Sequence, residues 1–164
     1  MIKYSRGLVI EVLRESFLKV FKDSLVSLVL FGSWARGDAG KWSDIDVLVV
    51  LEELPSDRFV LHKLLDRVED LARPKLEELG IDPPPPISPI VLDRVSASKP
   101  RLLYLDLVTD AVIIYDKDNF FRKVLDKFKD KLRELGAERK RIGKKWYWVL
   151  KKDYDFGEVF SLEQ

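Results

Sequence analysis

An apolar run from Val26 to Phe31 ends in Gly32-Ser33, and after a gap of ten residues Asp44-Ile45-Asp46 opens a second apolar run, Val47 to Leu51. This pattern demands two strands joined by a tight turn and a short helix, Trp34 to Asp38, with both carboxylates at the start of the second strand. Side chains two apart in a strand share a face, so Asp44 and Asp46 project together while Ile45 turns into the core. Two carboxylates forced together repel, and a divalent cation relieves the repulsion. Magnesium is usually bound by one or two carboxylates, the remaining octahedral positions going to water and substrate phosphate. Gly32 permits the turn and a close backbone approach, and Ser33 opens a helix whose free N–H groups face an anion. Phosphate on one side and metal on the other define a nucleoside triphosphate site.

Gly32-Ser33-Trp34-Ala35-Arg36-Gly37-Asp38-Ala39, followed by Ser43-Asp44-Ile45-Asp46, resembles the minimal nucleotidyltransferases of the DNA polymerase beta superfamily. The close match covers residues 28 to 51, and a looser one reaches about residue 116. The resemblance implies that Gly32 and Ser33 hold the triphosphate and that Arg36 supports the phosphate loop or the fold. It implies that Asp44 and Asp46 bind two Mg2+ ions. The reaction would be attack by an acceptor hydroxyl on the α-phosphate of a nucleotide such as ATP, with pyrophosphate leaving. Two ions about 3.5 to 4 Å apart stabilise the attacking and departing oxygens in such sites.

Members of the superfamily usually carry a third carboxylate on a neighbouring strand. The strand expected there, Ile87 to Leu92, contains no acid. Asp93 lies just past its end, in phase with Ile87 and Val91, and is the candidate; Asp82, ahead of a proline run, is less well placed.

With 164 residues, 46% of them hydrophobic, the chain suits one compact domain with a small appendage. No run of eighteen apolar residues and no secretion leader is present, so a cytoplasmic protein without a membrane span is expected. The lack of cysteine excludes disulfides, thiolate metal sites and cysteine nucleophiles, and a single histidine, His62, argues against a zinc centre. Charged residues make up 35% of the chain, whereas Gln164, Asn119 and Met1 are the only ones of their kinds. This bias resembles that of hyperthermophile proteins and points to a thermophilic source.

Helical periodicity appears in Val9, Val12, Leu13, Phe17, Val20 and Phe21, with Ser5 as a cap. A long helix opens at Ser56 and carries Phe59, Leu61, Leu64, Leu65, Val68 and Leu71; Pro74 should kink or divide it before Gly80 ends it. Strands are expected at Ile87 to Leu92 and Ala111 to Tyr115, the latter followed by a turn or cap at Asp116. The fold class is α/β (α+β), a nucleotidyltransferase-like mixed sheet with helices chiefly on one face and the site at strand ends.

Residues 1 to 118 form the expected nucleotidyltransferase domain, and 119 to 164 a C-terminal helix and β-hairpin packed on it. Residues 119 to 152 carry 13 Lys and Arg against 4 Asp and Glu, a net of +9, although the whole chain is only +1. Arg139 to Lys152 reads as a hairpin turning near Gly143, with Lys144, Lys145, Trp146 and Trp148 placing aromatics beside cations. Such a surface could track a phosphate backbone and stack on bases, or dock an acidic partner. Trp146 and Trp148 share a strand face, which suits packing on the helix as well as base stacking.

The functional expectation is a magnesium-dependent transfer of AMP from ATP to an acceptor. The resemblance extends to antitoxins that adenylylate a HEPN-type partner protein, and an RNA end or a small molecule also stays open as acceptor. The alternative is a nucleotide-binding or partner-binding module that has the fold without the catalysis.

Overall fold

The computed structural model describes residues 6–143, 145–153 and 155–162, so the Ser5 cap and Lys144 lie outside the described residues. Four strands form the main sheet: β1 (Leu25–Leu30), β2 (Ile45–Leu51), β3 (Ile87–Asp93) and β4 (Val112–Asp116), in the order β3-β2-β1-β4. β1 runs antiparallel to both β2 and β4, whereas β2 and β3 are parallel, so the sheet is mixed as expected.

The sequences of the two central strands dictate what covers them. β1 reads LVSLVL and β2 reads IDVLVVL, and every residue of both is buried except Asp46. Strands apolar on both faces need a layer on each side. Leu25, Leu28, Leu30, Ile45, Val47 and Val49 meet α1 (Arg6–Phe21) and α3 (Arg58–Glu78) on one face. Val26, Val29, Leu48 and Val50 meet α4 (Arg94–Ala97), α5 (Tyr104–Asp110) and α6 (Phe120–Glu134) on the other. The helices therefore cover both faces, not chiefly one, because neither face of β1 is polar enough to meet water.

Within these layers the periodic residues of α1 point inward, Val9, Val12, Leu13, Phe17 and Phe21 being buried. Asp57, not Ser56, caps α3, accepting from Phe59 N at 2.8 Å. Phe59 itself is exposed, and the buried stripe of α3 is Val68, Ala72 and Leu76. Pro74 sits inside α3 without dividing it, and Gly80, at φ +83°, follows its end. On the opposite face Tyr104 packs edge-on against Phe121 and Phe128 and donates its hydroxyl to Ala97 O at 2.7 Å.

The far end of the sheet is tied by Asp116, which accepts from buried Ser27 Oγ at 2.7 Å, from Phe121 N at 2.9 Å and from Arg122 N at 3.0 Å. It caps α6 and satisfies a hydroxyl inside β1 at once. Asp116→Ala removes a cap worth about 1 kcal/mol and orphans a buried hydroxyl at about 1 to 3 kcal/mol. Urea unfolding should report a loss of about 2 to 4 kcal/mol; a loss within error of zero would contradict the capping role.

After α6, β5 (Glu138–Ile142) and β6 (Lys145–Val149) form the expected antiparallel hairpin as a separate two-stranded sheet. Among the described residues, no helix is long and apolar enough to cross a membrane.

Candidate active site

β1 hands the chain to α2 (Gly32–Arg36) at the point where β2 begins. Phe31 N donates to Asp46 O at 3.0 Å, extending the β1–β2 ladder by one rung and bringing Gly32 against the Asp46 side chain. Gly32 has φ +68°, and a Cβ placed on it would lie 2.3 Å from Asp46 Oδ2. Glycine is thus required twice, by the backbone angle and by the approach of the carboxylate.

The ten residues between Ser33 and Asp44 are fixed from several sides. Gly37 takes the left-handed conformation at φ +83°, and its N–H and that of Asp38 donate to Ser33 O at 2.9 and 3.0 Å, closing α2. Arg6 Nη1, from α1, donates to Ala35 O at 2.6 Å. Buried Trp34 donates through Nε1 to Ser43 O at 3.1 Å, holding the residue just ahead of Asp44. Gly40 N donates to Ser43 Oγ at 2.9 Å and Ser43 N to Gly40 O at 3.2 Å, so residues 40–43 form a tight turn.

Ile45 is fully buried, and Asp44 is exposed with Asp46 half-buried beside it. Burial pushes the Asp46 carboxyl above its usual value, the negative charge of Asp44 pushes it further, and Arg36 opposes both. Ser88 Oγ, from β3, donates to Asp44 Oδ2 at 3.2 Å. Two carboxylates and a hydroxyl are hard oxygen donors, and burial first, then the charge of Asp44, disfavours ionised Asp46, a cost that a bound cation would relieve. The donor set fits a magnesium ion with its remaining positions filled by water and phosphate. Among the described residues no group of three or more His, Cys, Asp or Glu is gathered at one point.

The structure brings Gly32, Ser33, Arg36, Asp44 and Asp46 together; it does not bring Asp93. The parallel register pairs Asp46 with Ser88 and Leu51 with Asp93. At about 3.3 Å per residue, Asp93 lies about 16 Å along the strand from the Asp46 level. Asp93 instead caps α4, accepting from Ser96 N at 2.7 Å and Ser96 Oγ at 2.9 Å, and these bonds hold its carboxyl below the usual value. Asp93→Ala should leave any turnover unchanged and lower Tm. A depressed carboxyl stabilises the fold above its unfolded value, about 3.9, and that contribution vanishes as pH falls through the folded value. The Tm gap between variant and wild type should therefore narrow in acid, and lost turnover would return Asp93 to the site.

Two residues at the site were not singled out by motif. Ser88 could be found only from strand register. Trp42, two residues before Asp44 on the pinned turn, is 81% exposed, with Lys41 Nζ 5.1 Å from its ring centroid. In the hairpin, Trp148 packs against the second core, whereas Trp146 and Lys145 stay exposed.

The nucleotidyltransferase domain model matches residues 10–99, a span holding Gly32-Ser33, both aspartates and β3. A Methanocaldococcus jannaschii protein, provisionally named a protein adenylyltransferase, is 36% identical over 117 residues, which are 70% of this chain and 75% of that protein. A second protein of that organism, with a name of the same kind, is 41% identical over 51 residues, 29% of this chain and 52% of its own length. Among solved structures, a toxin–antitoxin crystal structure with AMP-PNP superimposes at a TM-score of 0.45 and 18% identity, over 80% of this chain and 93% of that one. With the domain model matching more than half of its length, and a relative more than a third identical across most of both sequences, this chain belongs to the nucleotidyltransferase domain family.

Proposed function

We propose that this protein is a magnesium-dependent nucleotidyltransferase that moves AMP from ATP to a hydroxyl of a partner protein and releases pyrophosphate. The observation that carries this reading is the packing of Gly32 against Asp46, beside Asp44, at the head of α2. Gly32 and Ser33 would receive the triphosphate, Arg36 would balance charge near Asp46, and Asp44 and Asp46 would hold the metal. When bound, magnesium supplies charge stabilisation at the phosphoryl oxygens. The acceptor oxygen bonds to the α-phosphorus as the bond from that phosphorus to the bridging oxygen breaks, and the electron pair leaves with pyrophosphate.

The partner-protein acceptor is supported by the name of the 36% identical relative. A HEPN-type protein is the first acceptor to try, following the resemblance of the motif to the antitoxins, and the setting is the cytoplasm, where ATP and magnesium are abundant.

One observation favours a second reading. β3 presents Ser88 opposite Asp46, so no carboxylate there can take the acceptor's proton. A module that binds ATP and metal without reacting would need none, whereas a transferase would pass the proton to the partner or to the nucleotide's own phosphate.

ATP labelled on its α-phosphate, incubated with magnesium and a HEPN-type protein, RNA or a small-molecule mixture, separates the readings. Label on protein that requires Asp44 supports the proposal, and label on RNA moves the acceptor. Tight ATP binding with no label and no pyrophosphate from any mixture leaves the binding module.

A further inference from the structure

We propose that the β5–β6 hairpin is a docking arm for a single-stranded nucleic acid, separate from the nucleotide site. The family match ends at residue 99, so the hairpin lies outside the matched domain. Residues 138 to 152 hold seven Lys and Arg against one acid, Glu138.

The register divides the hairpin into faces. Arg139 pairs with Trp148, Lys140 with Tyr147, Arg141 with Trp146 and Ile142 with Lys145. Opposed residues share a face and the faces alternate along each strand. Arg139, Arg141, Trp146 and Trp148 thus lie on one side, and Lys140, Ile142, Lys145 and Tyr147 on the other. The root of the arm is structural. Trp148 packs against the second core, and Arg139 Nη2 meets Asp110 Oδ2 at 2.9 Å with the two side chains 16% and 22% exposed.

The outer part is different. Ile142, Trp146 and Tyr147 are 69%, 51% and 41% exposed, and Lys140, Arg141 and Lys145 surround them. Arg139 and Arg141 place their guanidinium carbons 4.5 and 5.4 Å from the Trp146 ring centroid, and Arg141 Nε donates to Gly143 O at 2.7 Å. The indole is held in position by cations and still half open. Exposed rings on both faces, set among cations, suit unstacked bases with their phosphates alongside. A duplex hides its bases, and a purely acidic peptide would engage the cations without stacking on Trp146 and Tyr147. Five residues per strand span about 17 Å, enough for a few nucleotides.

The test uses the full chain and a short fluorescein-labelled oligouridylate, followed by anisotropy from about 50 to 200 mM salt. Binding should weaken with salt, and Lys140→Gln with Lys145→Gln should flatten the log–log slope by about 1.4, since each phosphate no longer neutralised removes about 0.7. Trp146→Ala should weaken binding about 5- to 140-fold without changing the slope, and Trp146→Phe should retain most of it. Asp44→Asn should bind as the wild type does, which keeps this result independent of the catalytic reading. Absent binding, unchanged affinity in Trp146→Ala, or equal competition by polyglutamate or by a duplex would each overturn the proposal.

Discussion

Asp46→Asn should abolish magnesium-dependent turnover and yet give a metal-free protein that unfolds at neutral pH no more easily than the wild type. The ionised Asp46 carboxylate is costly in the folded chain because it is partly desolvated and faces Asp44. Its folded value is raised, so its favourable contribution to stability is present below the unfolded value of about 3.9 and is lost as pH rises through the folded one. Asparagine keeps the shape and removes the charge. In the wild type, magnesium should supply the compensation, and a ligand at a hundred times its Kd stabilises a fold by about 2.7 kcal/mol. Wild-type Tm should therefore rise with magnesium at neutral pH, rise little where Asp46 is protonated, and not respond in Asp46→Asn. Losing metal stabilisation worth several kcal/mol in the transition state lowers turnover by about a thousandfold. A magnesium shift that survives in the variant, or turnover close to wild type, would remove Asp46 from the site.

Gly32→Ala is expected to be nearly as damaging, for steric reasons. A left-handed backbone costs a residue other than glycine about 1 to 2 kcal/mol. The added methyl would also meet Asp46 Oδ2 at 2.3 Å, so the carboxylate must shift away from residue 32 and leave its present position. Gly37 provides the control: its φ is +83°, and a Cβ there meets nothing within 4 Å. Gly37→Ala should lose stability of the same order and keep its metal response, whereas Gly32→Ala should lose both. Urea unfolding and the magnesium-induced Tm shift, measured on the pair, separate strain from displacement. Equal behaviour of the two variants would show that the approach of residue 32 to residue 46 has no part in metal binding.

The geometry of the candidate site was legible where it is local in sequence. Gly32, Ser33, Asp44 and Asp46 lie in two short runs joined by a turn, and strand alternation alone places Ile45 inside and both aspartates together. Asp93 failed because its position depends on the pairing of β3 with β2, and a register over a separation of about forty residues leaves no trace in local periodicity. The acid shares its strand face with Ile87 and Val91, which the register sets beside Ile45 and Val49, so it lies on the face away from both aspartates as well as at the wrong end. Ser88, hidden for the same reason, holds the position that Asp93 was expected to reach. The second helical layer is implicit in β1 and β2, which are apolar on both faces and so need cover on each side. Pro74 does not divide α3, because Val68, Ala72 and Leu76 bury enough apolar surface for the helix to run through it.

The two-sided burial of β1 bears on how portable the catalytic segment is. The motif, both aspartates and β3 all fall before residue 100, yet Phe121, Leu125, Phe128 and Leu132 of α6 close over Val26, Val29, Leu48 and Val50. A fragment trimmed to the family match would carry both proposed metal ligands on a sheet with one oily face bare to water. Transplanting this chemistry onto another scaffold therefore means moving its roof as well.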